Sequence, residues 1–368
     1  MINIPKNIKE LKTYKPGKSH KELKNDFGLE RIIDLGSNEN PLGASPKAIV
    51  KMTKSFKNIQ LYPDGSCHEL RSTIADKFNK KVNNVIVGNG SEGIINYIFK
   101  AFFRGNEEIL TFKGSFIGVY IAAKSADMKC IQLDLTGNYG FDLNHILKNI
   151  NPNTKAIYLA NPNNPTGTIF NKIEFEYLMS KVPKNIIVIL DEAYCEYAID
   201  LTEDYPIGLD YEFDNLITLR SFSKAYGLAG MRIGFGFASE NIIESLMKVK
   251  LTFEPSSVAQ AAGIGAINDD DFLNKVIENN RVGLNYYYQE LDKIGIKYIK
   301  SFGNFLMIVL DSEELVNKLN ELLISKGIII RPLKVFGLPN CARIAVGTPE
   351  DNKSCIEAIN LFVSNHKN

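Results

Sequence analysis

At 368 residues the chain can hold two domains and a sizeable core, and 45% apolar with 23% charged residues is an ordinary globular composition. Its 43 basic residues against 42 acidic leave a net charge of +1, which argues against a polyanion-binding surface. The five cysteines are scattered without a Cys-x-x-Cys pair and the four histidines sit in unrelated contexts, which suits a reducing compartment and offers neither a disulfide framework nor a metal site.

The opening MINIPKNIKELK lacks the apolar core of a signal peptide, and no apolar run approaches the roughly 18 residues of a membrane span, so a soluble cytoplasmic protein is expected. Lysines recur at every third position from Lys6 to Lys24. Pro16-Gly17 interrupts any helix carrying them, and Glu10, Glu22 and Asp26 dilute the charge, so this stretch reads as solvated surface and not as a nucleic-acid arm. Strands are then expected at 84–87, 108–112, 130–135, 156–159, 186–190, 216–219 and 233–238, with amphipathic helices between them, as at 91–103 and 173–181. Near-continuous apolar strands alternating with helices indicate an α/β domain around a mostly parallel sheet, whose ligands gather at the carboxyl ends of its strands. Beyond about residue 255 the texture changes to a long helical stretch at 256–293, an extended run at 298–310, a helix at 313–326 and strands at 328–331 and 342–346. The expected division is an arm at 1–40 belonging to the small domain, a large α/β domain at 41–255 and a small α+β domain at 256–368.

Four polar motifs follow expected strands. The first, GNGSEG from Gly88, opens a helix, so the N–H groups of Gly90, Ser91 and Glu92 form an anion site at its N-terminus. Its spacing does not match a G-x-G-x-x-G dinucleotide loop, and no G-x-x-x-x-G-K-[ST] is present. The second, NPNNPTG at 161–167, is a turn that also presents Asn164 as a hydrogen-bond donor. In the third, Asp191 follows an apolar strand with Tyr194 three residues on. An isolated aspartate there would serve as a simple cap; beside Tyr194 it suits a pyridoxal-5′-phosphate ring, whose nitrogen needs an anion and whose phenolic oxygen needs a donor. The fourth, RSFSKAYGLAGMR at 220–232, places Lys224 among small and hydroxyl residues, with Arg232 eight residues later. A buried unpaired ammonium is a poor structural choice, whereas a lysine with lowered pKa can attack an aldehyde. Ser221, Ser223 and Arg232 would hold a phosphate.

Taken in order, these motifs resemble the class I/II aminotransferases of pyridoxal-phosphate fold type I, and further segments resemble the histidinol-phosphate aminotransferase branch. Those segments are TYKPGKS (13–19), SNENPLG with SPKAI (37–49), YPDGS (62–66), LAGMRIGF (228–235), GNFLMIVL (303–310), GIIIRPL (327–333) and ARIAVGTPEDN (342–352), so the likeness runs over essentially the whole chain. The resemblance implies a large domain with a mostly parallel seven-stranded sheet flanked by helices, plus a smaller α+β domain. It also implies a homodimer that binds pyridoxal 5′-phosphate and acts on small amino and 2-oxo acids, with 2-oxoglutarate as acceptor. By the same likeness, Lys224 carries the cofactor, Asp191 pairs with the pyridine nitrogen, Tyr194 and Asn164 bond the phenolic oxygen, and Phe116 stacks on the ring. Ser221, Ser223 and Arg232 bind the phosphate, joined by Tyr62 from the neighbouring subunit. Arg343 grips the substrate α-carboxylate, Arg331 meets a substrate phosphate, and Tyr14 and Asn40 close over the substrate.

Two segments depart from the pattern. Lys113-Gly114-Ser115-Phe116 replaces the usual Pro-Thr-aromatic run, and LTFEPSS (251–257) puts Glu254 near the expected substrate entrance. Histidinol phosphate is the first expectation for the substrate. An aromatic amino acid aminotransferase and an amino-acid-phosphate decarboxylase use the same scaffold. A non-catalytic pyridoxal-phosphate regulator would need a DNA-binding module, and roughly 30 residues ahead of the scaffold are too few for one.

Overall fold

The computed structural model describes residues 2–11 and 20–366; the expectation for Tyr14 lies outside them. The large domain is built on seven strands, Val85–Gly88 (β1), Glu108–Phe112 (β2), Lys129–Leu133 (β3), Thr154–Ala160 (β4), Ile187–Asp191 (β5), Leu216–Ser221 (β6) and Gly234–Phe237 (β7). They lie in the order β1-β7-β6-β5-β4-β2-β3. Only β7 runs against its neighbours; the β6, β5, β4, β2, β3 series is parallel throughout. Side chains alternate between two covered faces, as a strand's period of two requires. In β4, Ala156, Tyr158 and Ala160 join one core with Ile94, Ile98, Val119 and Leu246, while Ile157 and Leu159 join the other with Phe175 and Leu178.

The small domain has a four-stranded antiparallel sheet of Lys297–Ile299 (β8), Phe305–Val309 (β9), Arg331–Pro332 (β10) and Cys341–Ala345 (β11), in the order β10-β11-β9-β8. Its core unites β9 and β11 with side chains from helices Asp270–Ile294, Glu313–Ser325 and Pro349–His366. A short parallel pair, Ile33–Asp34 with Ile328–Ile329, ties the N-terminal segment to this domain. The following residues, 35–40, then run into the space between the domains.

Three expected elements differ in the structure. The helical stretch at 256–293 is two helices, Ser257–Ile267 and Asp270–Ile294. The first shares a core with Ala48, Leu70, Ile233 and Phe235 of the large domain, and the second packs into the small domain. We therefore propose that the large domain extends to Asn268. The run at 298–310 is a hairpin, β8 and β9, because Ser301 and Gly303 turn the chain back, with Gly303 N–H donating to Ser301 Oγ at 3.1 Å. The strand at 328–331 is divided between two sheets, since Ile328–Ile329 pairs with the N-terminal segment and Arg331 pairs with Arg343. Among the described residues, no helix is long and apolar enough to cross a membrane.

Candidate active site

The parallel strands deliver their polar termini to one cavity of about 210 Å³. It is lined by Gly90, Ser91, Glu92, Phe116, Asn164, Asp191, Tyr194, Ser221, Ser223, Lys224 and Arg232, which are all of the expected cofactor residues except Tyr62. Asp191 is the last residue of β5 and only 5% exposed. Its Oδ1 accepts from the Ala193 N–H at 3.1 Å and its Oδ2 from the Tyr158 hydroxyl at 2.7 Å. Burial pushes its carboxyl up, and these two donors oppose the shift.

Ser221 ends β6 and the chain turns sharply, with Ser223 N–H donating to Ser221 Oγ at 3.0 Å. The turn carries Lys224 to the cavity wall, where its Nζ donates to the Ser37 carbonyl at 3.2 Å. Burial, then the nearby guanidinium of Arg343, pushes this amine down to about 8, with Glu39 opposing and Arg232 adding to the shift. A lysine so held has a far larger neutral fraction near pH 7 than an exposed one.

On the opposite wall, Gly90 begins the helix Gly90–Phe102 with a φ of +72°, and its N-cap Asn89 makes no side-chain capping bond. The first N–H groups of this helix are thus left to an anion. A Cβ on Gly90 would stand 3.0 Å from Arg232 Nη2, so glycine is what lets the guanidinium close over the helix end. Arg232 itself lies 3.8 Å from the Glu92 carboxylate. Phe116, at the cap of helix Ile117–Ser125, forms the side wall. Its ring occupies space that a Cβ on Gly118 would enter at 2.4 Å.

Next to the cavity are the two small-domain arginines. Arg343 and Arg331 are cross-strand partners, and both donate to the Gly36 carbonyl, Arg343 Nη2 at 2.6 Å and Arg331 Nε at 3.5 Å. Arg343 is 5% exposed, also donates to Asn164 Oδ1, and leaves its Nε buried without a partner. Burial and the adjoining Arg331 push Arg343 down to about 10. Two guanidinium groups on one neutral carbonyl, with a buried N–H unsatisfied, leave capacity for an anion.

Other expected residues stand differently. Asn40 donates its amide to the Lys224 and Ala225 carbonyls at 3.2 and 3.1 Å, which makes it a brace under the lysine turn. Glu254 accepts from Tyr97 and Asn89 in an open cavity that shares Glu92 and Arg232 with the one described above. Tyr62 is 80% exposed and stacks on Phe253 with centroids 4.3 Å apart, outside the cavity of its own chain.

Two further groups had no motif in the sequence: Tyr158, which lines the cavity, and Asn38, which bonds a lining residue from behind. Asn38, held at a φ of 54°, donates to the Tyr194 hydroxyl at 3.1 Å from the segment between the domains. Tyr158, in the middle of β4, had only strand alternation as a signal, and alternation does not distinguish a core phenol from one that reaches a site.

Donors at a helix N-terminus, two serines and an arginine suit a phosphate, a buried carboxylate suits a pyridine nitrogen, and a lysine of reduced basicity suits an aldehyde. The residues present fit pyridoxal phosphate.

The sequence profile of the family described as aminotransferase class I and II matches residues 30–359. The chain belongs to the class I and II aminotransferases. It is 39% identical to the histidinol-phosphate aminotransferase of Caldicellulosiruptor saccharolyticus over 96% of this chain and 98% of that one. It is 36% identical to the histidinol-phosphate aminotransferase of Geobacillus thermodenitrificans over 97% of each. Among solved structures, the histidinol-phosphate aminotransferase of Sinorhizobium meliloti, in complex with pyridoxal-5′-phosphate, superposes with a TM-score of 0.90 at 24% identity, covering 99% of this chain and 98% of that one. The Thermotoga maritima aspartate aminotransferase reaches 0.85 at 22% identity, covering 98% and 100%, so the fold alone does not discriminate among substrates.

Proposed function

We propose that this chain is a pyridoxal-phosphate-dependent aminotransferase that moves an amino group between L-histidinol phosphate and 2-oxoglutarate. One observation carries the reading: a single cavity brings together Lys224, Asp191 and the uncapped N-terminus of helix Gly90–Phe102, next to the Arg331–Arg343 pair. Bound pyridoxal phosphate supplies an aldehyde for amine exchange and a protonated ring that draws electrons from the substrate Cα. Asp191 would keep the proton on the ring nitrogen, Tyr194 and Asn164 would bond the phenolic oxygen, and Phe116 would lie against the ring. Ser221, Ser223, Arg232 and the N–H groups of Gly90, Ser91 and Glu92 hold the phosphate. Lys224 would be the residue that holds the cofactor's aldehyde carbon, and its amine, of lowered basicity, would serve to move a proton at the substrate Cα.

The two halves of the cycle present different anions. Glutamate offers an α-carboxylate to Arg343, whereas histidinol phosphate has no carboxylate and offers a phosphate. A second guanidinium beside the first, from Arg331, suits that larger charge. The active unit is a homodimer in which Tyr62 reaches the phosphate site of the neighbouring subunit, and the five unpaired cysteines fit a cytoplasmic enzyme.

The test is a single-turnover half-reaction. Holoenzyme is mixed separately with L-histidinol phosphate, L-phenylalanine and L-glutamate, and pyridoxamine phosphate is measured by chromatography. Fast conversion by histidinol phosphate and glutamate, far ahead of phenylalanine, is expected. Conversion by glutamate but not by histidinol phosphate would keep the aminotransferase and overturn the substrate.

A further inference from the structure

We infer that Tyr158 is a positioning residue of the reaction, holding the Asp191 carboxylate ionised and oriented through a direct hydrogen bond. The inference rests on the reading of Asp191 as the partner of the cofactor nitrogen. The geometry begins in the sheet. In the β4–β5 register Tyr158 lies opposite Ile189, and Ala160 lies opposite Asp191. Tyr158, Ala160 and Ile189 share one core face, so the phenol projects toward the diagonal neighbour at the end of β5. A tyrosine is long enough to cover that diagonal, and its hydroxyl reaches Asp191 Oδ2 at 2.7 Å. Both residues line the cavity.

Each carboxylate oxygen of Asp191 accepts one protein donor, Tyr158 on Oδ2 and the Ala193 N–H on Oδ1, and each keeps a lone pair for a further donor. Removing the phenol would leave Asp191, 5% exposed, with a single donor. In a buried site, fewer donors favour the neutral acid, which cannot keep a proton on a pyridine nitrogen. Tyr158 is itself fully buried, and burial pushes its hydroxyl far up, so it stays a donor across the working pH range. The other ionisable groups acting on this phenol are Tyr120 from helix Ile117–Ser125 and Tyr194 from the turn after β5. A plain core position would be filled equally well by phenylalanine; the hydroxyl is the part that needs explaining.

The experiment compares Tyr158→Phe, Asp191→Asn and the double variant with the wild-type chain. Three quantities are read: the dissociation constant of pyridoxal phosphate for the apoprotein, the pH titration of the visible absorbance of the holoenzyme, and kcat and KM for the amino substrate. Circular dichroism confirms that each variant is folded. Tyr158→Phe is expected to weaken cofactor binding about tenfold or more, the scale of a lost hydrogen bond to a charged group. It should also move the absorbance titration and lower kcat with KM little changed. In the Asp191→Asn background the same substitution should add nothing, because the hydroxyl acts through the carboxylate. A Tyr158→Phe enzyme with wild-type affinity and titration, or one whose loss persists undiminished in the Asp191→Asn background, overturns the inference. If Asp191→Asn alone leaves binding and turnover unchanged, the reading of Asp191 fails first. A damaging Asp191→Asn with a silent Tyr158→Phe overturns only the role of Tyr158.

Discussion

Lys224 gains its chemistry from position. Its amine is pushed down to about 8 by burial and by the charge of Arg343, so its neutral form becomes abundant in a range where an ordinary lysine stays protonated. Only the neutral amine attacks an aldehyde. The rate of cofactor uptake by apoprotein should therefore rise about tenfold per pH unit below 8 and level off above it, where an unshifted lysine would keep rising to about 10.4. Stopped-flow absorbance between about pH 6 and 10 measures this, and a plateau only near the ordinary lysine value would refute the depressed amine. Replacing Lys224 by alanine should abolish transamination yet leave noncovalent cofactor binding, because the phosphate and ring contacts remain; turnover and equilibrium dialysis check the two halves. Arg331→Met should raise KM for histidinol phosphate by about one to two orders of magnitude, the scale of a lost charge-assisted contact, and change the glutamate half-reaction far less. At this scale the sequence was highly legible. Lys224 and the two serines share one string and Asp191 and Tyr194 another, each with chemistry that is local. Asn40 and Glu254 were not legible, because their partners come from segments about 160 residues or more distant in sequence.

The neighbouring strands β5 and β6 are joined by more than their ladder. Glu192, directly after Asp191, is fully buried and accepts from Arg220 Nε at 3.0 Å and from the Gly208 N–H at 2.6 Å. Arg220 directly precedes Ser221, so this buried pair locks the end that carries Asp191 to the turn that carries Lys224. Glu192→Ala would leave a guanidinium buried without its partner and should cost about 3–5 kcal/mol, read as a fall in the urea midpoint. It should also weaken cofactor binding, since two walls of the cavity would lose their common anchor. Element types and most strand cores are evident from apolar runs. Element ends are less so: in the run at 298–310 the only local sign of a hairpin is Ser301-Phe302-Gly303-Asn304, and the bonds between Ser301 and Tyr288 that brace the reversal come from helix Asp270–Ile294.

At the scale of the whole molecule, the exposed ring of Tyr62 stacks on the exposed Phe253, and Ile59, Leu61 and Leu251 are exposed as well, apolar surface that a second subunit would cover. Sedimentation equilibrium of the purified protein is expected to give twice the chain mass, and Tyr62→Ala to weaken cofactor affinity while leaving the fold of each chain intact. A monomer of full activity would remove the intersubunit role.

The sequence alone determined the α/β class and the cofactor and pointed to candidate residues for holding it, because each motif is a short string placed at a strand end, and the polar ends of these strands line one cavity. Only the tertiary structure decided what each of these side chains touches. Asn40 and Glu254 are bound to distant partners, and Tyr158 emerges from the core as a partner of Asp191. Arg331 and Arg343, 12 residues apart in the chain, become cross-strand neighbours on one carbonyl. Hydrogen-bond capacity is finite, and which partner takes it is settled by distances in space that adjacency along the chain does not encode.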